Sequence, residues 1–250
     1  MKIATWNVNR PVAADRREAA RAEIDKVAAD ILVLTETHDD FKPGLPFPCS
    51  SEKGRDGNYP PPHRWVTIWS NRRLEKIATS DHIRTTAARI FPIDGDPFLV
   101  FGTVLPWRDS EWGSPPSRGA AAFDEALKVQ VFDWKKLRRE YPKDELFVLG
   151  DFNQDLVLAP YRGTKVTKAL LVAALEDCGL VALTAGDRDP IRRDSPPFAC
   201  IDHICALRNS RWISEKTERW PNATTPPKRL SDHFGVAVTL APDHGPIIGD

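Results

Sequence analysis

The sequence predicts an α/β fold with mixed sheets, and three stretches carry that prediction. Residues 2–34 read as strand, helix, strand; residues 65–105 hold closely spaced strand patterns with no helix between them; and Glu145 to Leu149 is a short apolar run that breaks off in Gly150-Asp151-Phe152-Asn153. A continuous apolar run marks a strand buried on both faces. The carboxyl ends of such strands are where open α/β sheets bind ligands, so Asp151, Asn153 and the nearby Asp155 become candidate site residues. Gly-Asp followed by Asn is also ordinary turn chemistry, and the stretch gains meaning only if others converge on it.

In chain order, Lys2 to Val8 alternates as a strand and ends in Asn7-Val8-Asn9. Ala13 to Ala29 spaces Ala20, Ile24, Val27 and Ala28 for one buried helical face. Ile31-Leu32-Val33-Leu34 is a buried strand that runs into Thr35-Glu36-Thr37-His38, where Glu36 is either a rim residue in water or a metal ligand. From Phe41 to His63 come Pro43, Pro46, Pro48, Gly54, Gly57 and Pro60-Pro61-Pro62, which predict a long surface loop. Strands then follow at Trp65 to Ser70, Ile77 to Thr79, His82 to Phe91 and Phe98 to Leu105, an antiparallel meander.

Trp107 to Gly119 is irregular. Phe123, Leu127, Val131, Trp134 and Leu137 trace a helical stripe that ends at Tyr141, before Pro142. Thr164 to Asp177 is a shorter helix with Leu170, Leu171, Ala174 and Leu175 inward and Gly179 as its stop. Leu180 to Leu183 is a strand, Gly186 to Pro197 a polar loop, and Phe198 to Leu207 a strand carrying Asp202-His203 in its middle. A strand at Arg211 to Trp220, a loop over Pro221 to Leu230, and Ser231-Asp232-His233 leading into a closing strand at Phe234 to Leu240 complete the chain. No linker or repeat divides it, so residues 1–250 are expected to form a single domain.

Hydrophobic residues make up 41% and charged residues 28%, and 35 basic side chains balance 35 acidic ones. That balance suits a soluble globular protein without a global basic field, so any phosphate recognition must be local. No run approaches the roughly 18 apolar residues of a membrane span. With no signal-peptide pattern at the start, the expected compartment is the cytoplasm. Cys49, Cys178, Cys200 and Cys205 lack C-x-x-C spacing, which argues against zinc and against a disulfide framework.

Asn7, Glu36, Asp151, Asn153, Asp202, Asp232 and His233 all sit at the ends of apolar strands or within them, where polar groups need partners. Gathered in one pocket, the four carboxylates would repel one another, and a divalent cation relieves that repulsion. An all-oxygen set suits Mg²⁺, or Mn²⁺, better than zinc.

Five stretches carry a resemblance: Thr5-Trp6-Asn7-Val8-Asn9, Leu34-Thr35-Glu36-Thr37, Gly150-Asp151-Phe152-Asn153, Ile201-Asp202-His203-Ile204 and Ser231-Asp232-His233. In this order they resemble the endonuclease/exonuclease/phosphatase superfamily, the DNase-like, metal-dependent phosphoesterases. The resemblance implies a four-layer α/β/β/α sandwich of two mixed sheets with helices outside. It also implies roles: Glu36, Asn7 and Asp232 on the metal; Asp151 on the attacking water; Asn153 positioning water and phosphate; and His233, held by Asp202, donating to the phosphate.

Three positions depart from the family pattern. Asn9 stands where many family nucleases carry an acid. Thr103-Val104-Leu105-Pro106-Trp107 lacks the His or Tyr usually delivered to the phosphate, a contact for which Arg108 and Arg118 are candidate replacements. Cys200 stands where an Arg is frequent before Ile201-Asp202. His203, next to the acid, should point to the opposite face of its strand as a structural residue.

The expected activity is divalent-metal-dependent hydrolysis of phosphodiesters, with DNA or RNA as substrate. The basic residues Arg72-Arg73, Arg108, Arg118, Arg188, Arg192-Arg193 and Lys228-Arg229 lie in or near loops, and Trp107 and Trp112 offer stacking surfaces for unpaired bases. The alternatives are a phosphatase or phosphodiesterase acting on a small-molecule or lipid headgroup phosphate, and a phosphate-binding domain without turnover. No stable protein partner is expected.

Overall fold

A computed structural model describes residues 1–53, 62–157, 162–222 and 230–243. The elements are β1 (Lys2–Asn7), α1 (Ala14–Val27), β2 (Ile31–His38), β3 (Phe47–Ser50), β4 (His63–Ser70), β5 (Leu74–Ile77), β6 (Thr85–Ile90), β7 (Phe98–Val104), β8 (Glu111–Trp112), β9 (Ser117–Arg118), α2 (Gly119–Glu140), β10 (Glu145–Asp151), α3 (Lys165–Asp177), β11 (Leu180–Ala182), α4 (Pro190–Asp194), β12 (Asp202–Leu207), β13 (Trp212–Trp220) and β14 (Gly235–Pro242). Two six-stranded sheets hold most of them, in the orders β13-β14-β1-β2-β4-β3 and β11-β12-β10-β7-β6-β5, while β8 and β9 make a separate hairpin. In each sheet one central pair is parallel, β1 with β2 and β7 with β10.

Side-chain alternation builds the layers. In β1, Ile3 joins the core between the sheets while Ala4 and Trp6 turn outward onto α1 with Ala20, Ile24 and Val27. In β10, Phe147 and Leu149 face the inter-sheet core while Leu146 and Val148 face α2 and α3, against Trp134, Leu171 and Leu175. Three apolar layers thus separate four layers of structure: α1, one sheet, the other sheet, then α2 with α3. This is the α/β sandwich the sequence leads one to expect.

Several elements differ from the sequence reading. The proline-rich stretch after Phe41 contains β3, which pairs with β4 as the last strand of its sheet; Pro48 fits there because only an edge strand tolerates a missing N–H. The meander covers β5, β6 and β7 alone, since β4 belongs to the opposite sheet. Ala28 is exposed in the left-handed region, φ 51°, where it ends α1 instead of packing on its face. The Gly186–Pro197 loop contains α4, whose start is set by Asp189 accepting from the N–H groups of Ile191 and Arg192, with Pro190 in the first turn.

The second oxygen of Asp189 takes the Cys200 N–H at 3.0 Å, which holds that segment out of the ladder, so β12 begins at Asp202 and does not carry it in its middle. The short β8–β9 hairpin interrupts the irregular 107–119 segment. Gly54, Gly57, Pro60 and Pro61 of the long loop, and Lys228-Arg229, lie outside the described residues. Among those described, no helix is long and apolar enough to cross a membrane.

The two sheets approach closely at Gly102. A Cβ built there would lie 2.6 Å from Val66 Cγ1 and 3.1 Å from Val33 Cγ1. Gly102→Val is expected to overpack this contact and lower stability by about 1–3 kcal/mol. A shifted urea midpoint with an unchanged slope would be the signature; an unaltered midpoint would contradict the close approach.

Candidate active site

The same alternation that builds the core decides which polar groups meet. Ile3, Thr5 and Asn7 share one face of β1, so Asn7 points between the sheets at the strand's end. Asp151 follows Phe147 and Leu149 on the inward face of β10, and Asp202 precedes Ile204 and Ala206 on that of β12. Glu36 is the exception. It is in phase with Leu32 and Leu34, which face α1, so a regular strand would send it away from the other acids. Its backbone instead takes φ 53°, a left-handed conformation that costs about 1–3 kcal/mol for a non-glycine residue. That twist returns the carboxylate to the mouth between the sheets.

There Asn7 Nδ2 donates to Glu36 Oε1 at 3.1 Å and to Asp151 Oδ2 at 3.0 Å, so one amide joins acids from opposite sheets. The Asn9 N–H holds the Asn7 side chain through Oδ1 at 2.9 Å, and Asn9 Nδ2 donates to the exposed Asp232 at 3.1 Å. The residue standing in place of a second acid is therefore a donor that positions another acid. Asn153, also left-handed at φ 51°, donates its N–H to Asp151 Oδ1 at 2.9 Å and its Nδ2 to the Leu105 carbonyl at 2.9 Å. His233 Nδ1 donates to Asp202 Oδ2 at 2.6 Å.

The electrostatics follow from this crowding. Burial and the neighbouring Asp202 push the Asp151 carboxyl up to about 7, against the opposing pull of His233 and Asn7. Burial alone would lower His233, but Asp202 and Asp151 outweigh it and raise the imidazole to about 10. Asp202 Oδ1 is buried with no hydrogen-bond partner among the described residues, and ligand atoms of Asp151, Asp202 and His233 lie within 4.8 Å of one another. Close hard oxygens, excess negative charge and an orphaned carboxylate oxygen fit a divalent cation such as Mg²⁺. That close cluster is Asp151, Asp202 and His233; Glu36 and Asp232 border the same cavity, while Asn7 is buried behind it with its Oδ1 accepting the Asn9 N–H.

These groups open into a cavity of about 920 Å³ lined by Glu36, Asp151, Asn153, Asp202, Asp232 and His233. Arg108 lines the same cavity, in loose contact with Asp109 at 3.4 Å, whereas Arg118 is turned to Glu111 and lies off the cavity wall. Asp155, which the sequence groups with Asp151, is fully buried; its Oδ1 accepts the Val157 N–H at 3.2 Å and its other oxygen that of Arg162, and it does not line the cavity. His203 lies on the opposite face of β12, between Thr184 and the Gln154 carbonyl.

Residues to which the sequence assigned no role hold the His233 turn. Ser231 Oγ donates to the Asn7 carbonyl at 2.6 Å and accepts the His233 N–H at 3.0 Å; Trp6 Nε1 donates to the His233 carbonyl at 3.0 Å; and Arg16 Nε donates to the Leu230 carbonyl at 2.9 Å. Only Ser231 had a legible signal, a hydroxyl two residues before an active-site candidate, the spacing of a hydroxyl-capped turn.

Two stacked mixed sheets whose strand ends collect carboxylates, an amide and an acid-held histidine define a phosphoesterase-like α/β sandwich. The chain belongs to the Endonuclease/Exonuclease/phosphatase family, whose model matches residues 4–233. Its fold is similar to that of a 3′ phosphatase, NExo, from Neisseria bound to a product DNA hairpin, at TM-score 0.64 and 18% identity over 96% of this chain and 99% of that one. An AP endonuclease from Archaeoglobus fulgidus superposes at TM-score 0.64 and 17% identity, covering 96% and 98%. The endonuclease domain of TRAS1, a telomere-specific non-LTR retrotransposon, gives 0.62 and 12%, covering 97% and 98%. No match was found among curated proteins.

Gly150 makes the position of Asp151 possible. It has φ 145°, and a Cβ there would lie 2.0 Å from the Thr103 carbonyl oxygen on the paired strand. Gly150→Ala should separate β10 from β7, with a stability loss above about 2 kcal/mol in chemical denaturation. A variant as stable as the parent would contradict this reading of the strand pair.

Proposed function

We propose that the chain is a divalent-metal-dependent hydrolase of phosphodiester bonds, acting on nucleic acid. The observation that carries this reading is the convergence of Glu36, Asp151 and the His233–Asp202 pair on one cavity, with buried Asn7 behind them bonded to Glu36 and Asp151. In this reading Glu36, Asn7 and Asp232 hold Mg²⁺ or Mn²⁺. When bound, the cation supplies Lewis-acid stabilisation of charge on the phosphate oxygens.

The chain's own groups do the rest. Asp151 is fixed by Asn7 and by the Asn153 N–H, with its carboxylate toward the cavity, and orients the attacking water and takes its proton. Asn153 is locked to the Leu105 carbonyl and sets the place of water and phosphate. Asp202 occupies His233 Nδ1, which leaves Nε2 as the imidazole atom that donates to a nonbridging phosphate oxygen. Positioning and fixed charge of this kind provide most of the acceleration in phosphoryl chemistry. Nucleic acid as substrate is supported by family membership and by the DNA hairpin bound to the structurally similar Neisseria 3′ phosphatase. The neutral net charge makes that recognition a matter of local contacts.

Turnover of bis(p-nitrophenyl) phosphate, of the corresponding monoester and of single-stranded and plasmid DNA, with Mg²⁺, Mn²⁺ or EDTA, tests the proposal. Diester cleavage is expected with metal and should vanish in EDTA. Asp151→Asn and His233→Gln are each expected to lower kcat by about 10²–10³. Monoester cleavage alone would replace the reading with a phosphatase, and no turnover of any substrate with it would replace it with a binding domain.

A further inference from the structure

The cavity has a rim that the proposed chemistry does not use. Of the large apolar side chains left exposed among the described residues, Trp107 is the one that lines it. Scattered exposed apolar groups are ordinary, but one at the mouth of a polar site is placed where a ligand can cover it. The residue is 38% exposed, and behind it stands buried Trp65, with its ring centre 6.3 Å away and its plane tilted by 43°.

The Trp107 backbone is tied to the site on both sides. The Leu105 N–H donates to the Asp151 carbonyl at 2.9 Å, and Asn153 Nδ2 donates to the Leu105 carbonyl at 2.9 Å. Pro106 is buried, with its φ fixed by its ring. The Trp107 carbonyl then accepts from the N–H of buried Ser110 at 3.0 Å and from its Oγ at 2.9 Å. Only two side-chain torsions remain for a ligand to order, a small entropic cost for a large flat surface. Val104 pairs with Asp151, and the three residues from Val104 to Trp107 span at most about 10 Å, the reach of a nucleoside attached to a phosphate beside Asp151. Trp107 follows β7 on one side of β10, whereas Asp202 comes from β12 on the other. The charged groups of this rim meet each other, Arg108 with Asp109 and Arg118 with Glu111, so what it offers a substrate is a flat ring and not a net field.

We infer that Trp107 stacks on the nucleobase adjacent to the scissile phosphate, on the β7 flank, and that it selects nucleic acid whose bases are unpaired there. The inference rests on the phosphodiesterase reading and narrows its substrate. Inside a duplex the two faces of each base are covered by its neighbours, and an indole has nothing to stack on. In a single strand a face is free, and every base has one. The ring reads no hydrogen-bond pattern, so the selection is for strandedness and not for sequence.

The test uses thymidine hexamers in which only the central link is a phosphodiester and the others are neutral methylphosphonates. One hexamer is complete, and two carry a tetrahydrofuran in place of the thymidine on one or the other side of that link. With Mg²⁺, loss of the base on one flank is expected to lower kcat/KM about fivefold or more. In Trp107→Ala the ratio of complete to base-deleted substrate on that flank should fall to about one whatever the absolute rate, while Trp107→Phe keeps most of it. A mixed-sequence DNA strand is expected to be cut about fivefold or more faster alone than annealed to its complement. Equal cleavage of all three hexamers by the parent protein, an undiminished ratio in Trp107→Ala, or equal cleavage of single strand and duplex would overturn the inference. So would hydrolysis of bis(p-nitrophenyl) phosphate without cleavage of the complete hexamer. The parent comparisons decide the matter should a variant fold poorly. Absence of metal-dependent cleavage of every one of these substrates would instead remove the functional reading beneath it.

Discussion

One amide holds the site together. Asn7 Nδ2 reaches Glu36 from its own sheet and Asp151 from the facing one, at 3.1 and 3.0 Å, where the two strand ends open to solvent. Two carboxylates brought this close in a buried place repel each other, and a neutral donor between them lowers that repulsion without adding charge. Everything around it serves to keep that geometry: Asn9 fixes the amide's orientation, the Asn153 N–H fixes Asp151, and Ser231 ties the β1 exit to the His233 turn. The negative charge that remains would suit a divalent cation, as proposed above.

The sandwich explains why residues so far apart in sequence arrive together. Parallel pairing of β1 with β2 and of β7 with β10 points two carboxyl ends of each sheet toward one edge. Antiparallel β12 and the segment before β14 then bring their amino ends to the same edge, which is how Asp202 and His233 join. Alternation supplies the facing direction, and strain corrects it where alternation fails: Glu36 is left-handed because a regular strand would bury its carboxylate against α1. Backbone strain of this kind at a site persists only when the surroundings fix it, here through the neighbouring pairs Thr35–Val66 and Thr37–Arg64.

Much of this was legible in the sequence, and the misses have physical causes. Buried strands such as Ile31–Leu34 and Leu146–Leu149 announce themselves as apolar runs, and Glu36 and Asp151 beyond them share the Asn7 amide. The helical stripe through Trp134 placed α2, and the threonine before Lys165 caps α3. Phe47–Ser50 escaped notice because an edge strand needs only half its ladder bonds and so tolerates Pro48. Asp155 misled because an acid near Asp151 in sequence is not near it in space once its oxygens accept backbone N–H groups.

The central claim is that acids from both sheets converge on one cation site at this edge. Anomalous scattering from a crystal soaked in Mn²⁺ measures it directly. The account predicts a peak in the cavity against the Glu36 carboxylate, within the space bounded by Asp151 and His233. Full manganese occupancy elsewhere on the molecule with no density beside Glu36 would contradict it.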